Sequence, residues 1–249
     1  KEQPPKLYDL TTLQREANRL FGYTAKQTLD YAQSLYEKKL LTYPRTDSRY
    51  LTSDMAETAS CVIHLAAKLP PFDGCTNFFP LVEVMISDKD VSDHHAIIPT
   101  MEVEKADIKA LPLGERNLFL LVCCKLLCAS AEPYVYETVT ATFDCCGHSF
   151  TAKGKCVISE GWREIDRIFR TSLKEKAADG DGGTLPDFTE GQIFDGAEIA
   201  VTEHFTQPPK PYTEDTLLSA MENAGKDGIP DEAERKGLGT PATRAAIIE

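Results

Sequence analysis

Between residues 11 and 39, apolar side chains recur at helical spacing in two separate runs. Leu13, Ala17, Leu20 and Phe21 share one face, and Leu29, Ala32, Leu35 and Tyr36 repeat the arrangement. Thr11 and Gln14 have capping-box spacing at the first start, and Thr24 and Gln27 have it at the second. Gly22 is a natural stop between the runs. Lys38 and Lys39 fall in the last turn, where cations are favoured. The pattern predicts two short helices about a glycine, arranged like a helix-turn-helix. Residues 53–68 and 114–131 predict further helices. The second of these is apolar nearly all round, as a core helix would be.

From Pro133 the period changes to two. Val135, Val139, Ala141 and Phe143 alternate with Thr138, Thr140 and Thr142, which predicts a strand. Further strands are expected at 149–153, 155–158, 192–194 and 198–204. The polar, glycine-rich stretch 174–183 reads as a loop. Residues 206–213, with Pro208, Pro209 and Pro211, read as a stiff connector. A helix at 214–223 and an acidic loop at 226–234 follow, and no internal repeat is evident. The order helical, β, helical gives an α+β class with segregated parts, not alternating βαβ units.

A formal charge of −12, from 27 basic and 39 acidic residues, excludes a generic basic nucleic-acid coat but not a local basic site. The first twenty residues are too polar for a signal peptide. The apolar run 118–131 is too short to span a bilayer and contains Lys125. The eight cysteines show no Cys-x-x-Cys spacing, so they read as buried or free thiols in a reducing cytosol. The chain begins without Met and stops inside an apparent helix, as an excised piece of a longer protein would.

Three stretches carry candidate chemistry. In the first, Tyr43 precedes Pro44, which pushes it out of the helical region onto a rigid extended segment. A tyrosine can act as a covalent nucleophile. A phenol titrates near about 10 in water, so it needs help to attack at neutral pH. Arg45 and Arg49 would favour the phenolate and bind a phosphate, and Thr46, Asp47 and Ser48 complete a dense polar neighbourhood. In the second, His94 and His95 follow Asp93. Adjacent side chains diverge and no Cys or His partner lies at zinc spacing, which leaves a phosphate-facing or acid–base histidine against a solvated loop residue. In the third, Gly237 and Gly239 lead to Thr240 as N-cap and Pro241 as first helical residue, a ready anion site. Arg244 sits in the first turn, where the helix dipole disfavours a cation unless a phosphate is bound. The plain alternative is a capped helix with a surface arginine.

Taken together, "LTYPRTDSRYL" at 41–51, "DHHAIIPT" at 93–100, "PPKPYTEDTLLSAMENAG" at 208–225 and "GLGTPATRAAIIE" at 237–249 resemble the type IA DNA topoisomerases, and among them the bacterial DNA topoisomerase III group. The resemblance implies a nucleophile at Tyr43, which attacks a phosphodiester of single-stranded DNA. A 5′-phosphotyrosine link forms, a 3′-hydroxyl is left, another strand passes, and the break is resealed without ATP. It implies that Arg45 steadies the scissile phosphate, that His94 is the active-site histidine, and that Thr243 and Arg244, at the helix capped by Thr240, contact the DNA backbone. Ser48 and Arg49 are further candidate DNA contacts.

The same resemblance divides the chain into a mobile gate domain at 1–130, part of a β arch at 131–206, and the start of a DNA-gripping helical domain at 207–249. The family's Mg²⁺ lies in a Toprim domain that has no counterpart here. Asp88-x-Asp90 and Asp179-x-Asp181 have an acidic spacing but not the family's surroundings, so no cofactor is expected in this chain and the chain alone is expected to be inactive. Single-stranded DNA, and other DNA-processing proteins, are the implied partners, in a cytoplasmic, nucleoid-associated setting without a membrane. Two alternatives stand beside this reading. One is a non-catalytic single-strand-binding module. The other is a tyrosine recombinase or type IB enzyme, which would place its arginines and histidine ahead of a tyrosine near the chain end.

Overall fold

Leu113–Ala129 forms α4, and this helix is buried on nearly every side. A helix without a polar face must be surrounded. The computed structural model, which describes residues 1–74, 79–173, 185, 186, 188–196, 198–225 and 237–249, packs four helices on it. They are α1 (Leu10–Phe21), α2 (Ala25–Glu37), α3 (Ala56–Ala66) and α5 (Trp162–Ser172). The shared core holds Leu13, Ala17, Ala32, Leu35, Val62, Ile63, Phe119 and Phe169 among others.

The two amino-terminal helices form as expected, with two corrections. Lys38 is the C-cap of α2 and Lys39 lies past it at φ 61°, so neither falls in the last turn. The N-cap of α1 is Asp9, whose carboxylate accepts from Thr12 N at 2.7 Å. Thr11 and Gln14 lie inside the helix and are buried, and Gln14 Nε2 donates to Ala25 O. Spacing alone cannot distinguish a cap from a helix interior when two such residues stand two positions apart. At α2 the Thr24–Gln27 capping box is present in both directions. Gly22 closes α1 in the left-handed region at φ 68°, which glycine adopts without penalty.

The β part is one hairpin. Strand β1 (Val135–Cys145) pairs antiparallel with β2 (His148–Ser159) around Cys146 and Gly147, both at positive φ as a tight two-residue turn requires. The two strands expected at 149–153 and 155–158 are this single β2, running through Gly154. Residues 192–194 and 198–204 do not form strands. Alternation gives a strand only where a partner edge is available, and no described strand lies beside them. Phe188 and Phe194 instead pack edge-on against Phe143 of the hairpin.

Helix α5 is not among the helices expected above, although Trp162, Ile165, Phe169 and Leu173 recur at helical spacing. Ile165 and Phe169 are buried, and Trp162 and Leu173 pack against the same core. It belongs with the helical core, because Phe169 stacks on Phe72. A domain boundary at 130 therefore does not follow the packing. The carboxy-terminal helices are α6 (Glu214–Asn223) and α7 (Pro241–Ile248), with caps at Thr213 and Thr240. The loops expected at 174–183 and 226–234 fall on residues 174–184 and 226–236, outside the described residues, as does Asp179-x-Asp181.

The fold also brings out a repeat that periodicity does not reveal. Pro4, Pro5, Lys6, Tyr8, Thr12 and Leu13 recur at the same spacing as Pro208, Pro209, Lys210, Tyr212, Thr216 and Leu217. Each set leads into a capped helix followed by a second helix with its own capping box. The two helix pairs pack on each other, α1 against α6 and α2 against α7.

Candidate active site

Residues 41–51 run as an extended segment held at many points by backbone. Leu41 bridges Pro99 and Leu51 bridges Ile86. Ala96 N donates to Tyr50 O at 2.9 Å, and Leu10 N donates to Thr46 O at 3.0 Å. Pro44 is buried, consistent with the extended geometry that its ring imposes on Tyr43. Alternation then sorts the side chains. Pro44, Thr46 and Ser48 point inward, while Arg45 and Asp47 are exposed and Tyr43 is half-buried.

The histidine segment is stapled to this strand by hydroxyls. Thr42 Oγ1 donates to Ala96 O at 3.2 Å and accepts from Ile98 N at 3.0 Å. Thr46 Oγ1 donates to His94 O at 2.9 Å. These bonds bring His94 beside Tyr43, with ring centroids 4.4 Å apart and planes at 48°. His95 turns away, its Nδ1 2.8 Å from Ala96 O. On the other side Tyr36 of α2 meets the Tyr43 ring edge-on at 5.5 Å. Tyr43 is thus flanked by Tyr36 and His94. Arg45 stands exposed beside it and donates to Gln33 Oε1 at 3.2 Å.

Sequence reasoning does not find Tyr36 or Gln33 as site residues. Periodicity puts Tyr36 on the apolar face of its helix, yet it is 40% exposed. An aromatic at the end of a helix facing a rigid strand is the signal that could have found it.

Two other candidate residues lie inside the fold. Ser48 is buried, and its hydroxyl donates to Asp90 O at 2.8 Å, so it ties the loop together from within. Arg244 is 3% exposed rather than on the surface. Its Nε donates to Leu238 O at 3.1 Å and its Nη1 to Thr11 Oγ1 at 2.9 Å. These two oxygens offset the conflict with the helix dipole. Thr240 and Thr243 make a reciprocal capping box. Arg49 is half-buried and donates through Nε to Leu7 O at 3.2 Å.

Nothing in the described residues fits a metal ion. No group of three or more His, Cys, Asp or Glu side chains converges there. Asp88 Oδ1 accepts from Ser53 N and Asp90 Oδ2 from Ser87 Oγ, so both carboxylates serve the loop. No helix among the described residues is long and apolar enough to cross a membrane.

A sequence model of the DNA topoisomerases matches residues 1–249. The chain belongs to that family. DNA topoisomerase 3 of Bacillus licheniformis is 39% identical over 98% of this chain, and that of Bacillus subtilis is 38% identical over 98%. The chain spans 35% of the length of each. Full-length topoisomerase I from Thermotoga maritima shares the fold, with a TM-score of 0.71 at 24% identity over all of this chain and 38% of that one. These likenesses support the type IA reading, and the topoisomerase III group within it. In this topoisomerase chain Thr42 holds the Tyr43 strand and the His94 segment in register. Thr42→Val keeps the shape but leaves Ile98 N without its acceptor, a loss of about 1–3 kcal/mol. Urea denaturation of the chain measures it, and the His94–Tyr43 approach should loosen with it.

Proposed function

We propose that this chain carries the nucleophile of a type IA DNA topoisomerase, and that Tyr43 exchanges one phosphoester for another. The phenolic oxygen of Tyr43 attacks a backbone phosphorus of single-stranded DNA. The bond between Tyr43 oxygen and phosphorus forms as the bond from phosphorus to the 3′ oxygen breaks. The phenolic proton leaves with a base, and the departing 3′ oxygen takes up a proton to become a hydroxyl. The protein stays on the 5′ phosphate. The two esters are similar in energy, so the reverse attack reseals the strand without ATP.

The observation that supports this reading is the convergence of Tyr43, Arg45 and His94 at one edge of the helical core. Arg45 projects outward and can hold a phosphate oxygen through a charge-assisted hydrogen bond. His94 is exposed beside the attacking ring and can donate to a second phosphate oxygen or accept a proton. Tyr36 and the buried Pro44 restrict the ring of Tyr43, so little orientation entropy remains to be lost on attack. The helix opened by Thr240 is read as part of the DNA-gripping region, through its backbone N–H groups rather than through the buried Arg244.

The test is a covalent adduct trapped by denaturation from the intact topoisomerase and an end-labelled oligonucleotide. A 3′ label is expected to travel with the protein and a 5′ label to be released with the free hydroxyl. The opposite partition would point to a recombinase-type link and overturn the reading. The present chain by itself is expected to give no adduct, since it spans only 35% of its relatives.

A further inference from the structure

The two helix pairs meet through charge more than through apolar contact. Among the described residues, the buried apolar seam between them is Ala25, Leu218 and Ala245, with Ile248 against it. The polar contacts are more numerous. Asp215 Oδ1 accepts from Arg15 Nε at 2.9 Å, and Asp215 Oδ2 lies 3.1 Å from Arg19 Nη2. Asp215 N donates to Asn18 Oδ1, Glu214 Oε2 accepts from Ala25 N at 2.6 Å, and Lys26 pairs with Glu249. Residues 198–212, which lead into this pair, are exposed throughout and carry no regular structure.

One carboxylate therefore sits on two guanidiniums. Burial pushes the Asp215 carboxyl up, but the two arginines outweigh it and hold the group below its ordinary value. Arg15 and Arg19 also line a cavity of about 130 Å³, together with Thr12, Arg49 and Lys125. Glu16 in that cavity is already committed to Tyr8 Oη at 2.6 Å and Lys125 Nζ at 2.8 Å. The Asp9 carboxylate at the start of α1 caps Thr12, and burial raises its pKa while the charge of Arg49 acts to lower it. Arg15, Arg19, Arg49 and Lys125 are thus set against Asp215, Glu16 and Asp9, and Arg170, itself paired with Asp166, lies 3.5 Å from Glu16, on a chain whose overall charge is −12. With Asp215 removed, Glu16 and Asp9 remain.

We propose that Arg15 and Arg19, backed by Arg49 and Lys125, form a backbone-phosphate site for a nucleic-acid strand, and that Asp215 fills it as an internal anion while the second helix pair is docked. Docking of that pair and strand binding at this site then exclude each other. The fork of each guanidinium suits a phosphate as well as a carboxylate. The choice of a nucleic-acid strand rests on the topoisomerase reading above; the cationic cradle does not.

The test uses the whole chain and fluorescent oligothymidylate, titrated at several salt concentrations. Arg45→Ala and His94→Ala are present throughout, so the site at Tyr43 does not contribute. Asp215→Asn is expected to raise affinity roughly two- to fivefold, the range of a solvent-accessible ion pair removed from competition. It should steepen the log–log salt slope by roughly 0.7 for each additional phosphate that the arginines neutralise. Adding Arg15→Gln and Arg19→Gln should abolish the rise in affinity, with circular dichroism unchanged. An unaltered affinity and slope in Asp215→Asn would overturn the proposal, as would a rise that survives loss of both arginines. Should Arg45→Ala and His94→Ala leave binding of the parent chain untouched, the reading of the Tyr43 site is weakened and this cradle is not.

Discussion

Tyr43→Phe in the intact topoisomerase is expected to abolish strand cleavage while leaving single-strand affinity within about twofold. The substitution removes one oxygen, and that oxygen is the atom that bonds to phosphorus in the proposed step. Deletion of a catalytic nucleophile lowers turnover by roughly 10⁴-fold or more. Binding should survive because the proposed phosphate contacts are placed elsewhere. Arg45 is held from Gln33, and His94 is positioned through Thr46, so neither depends on the phenol. The ring contacts with Tyr36 and His94 use the aromatic faces and edges, which Phe retains. Relaxation of negatively supercoiled plasmid and yield of covalent adduct measure cleavage, and anisotropy measures binding. Relaxation by the Phe variant near the parent rate would remove Tyr43 from the mechanism.

Phe119→Ala should produce the largest stability loss, about 3–5 kcal/mol. Phe119 is fully buried on α4, the helix against which α1, α2, α3 and α5 all pack. Its removal opens a cavity that surrounding helices cannot easily collapse into, since they are fixed by their own contacts. Domains are typically stable by about 5–15 kcal/mol, so this one change consumes a large share. The melting temperature is expected to fall by roughly 6–20 °C, read by calorimetry or circular dichroism. Phe205→Ala serves as the contrast, because Phe205 is 83% exposed and its loss should stay within about 0.5 kcal/mol. Equal effects from the two substitutions would mean that α4 does not organise the core.

Sequence by itself determined what short-range rules govern. The apolar surround of α4, the capping box at Thr24 and Gln27, the glycine stop at Gly22 and the Thr240-Pro241 helix start were all legible, since each depends on residues within a turn or two. The extended setting of Tyr43 followed from Pro44 alone. The four quoted stretches were enough to point to the family.

Tertiary structure decided the rest. Asp9 caps α1 where Thr11 had the better spacing, because Thr11 is taken inward to meet Arg244. Residues 198–204 alternate like a strand yet stay unpaired, since a strand needs an edge supplied from elsewhere in the fold. Arg244 looked exposed by its helix position and is buried by the neighbouring pair. The approach of His94 to Tyr43 depends on Thr42 and Thr46 reaching across to a distant segment. Caps, stops and periodicity are fixed by bonds between near neighbours, which sequence order preserves. Strand partners, buried charges and the meeting of Tyr43 with His94 depend on which distant surfaces come together, and only the packed chain contains that information.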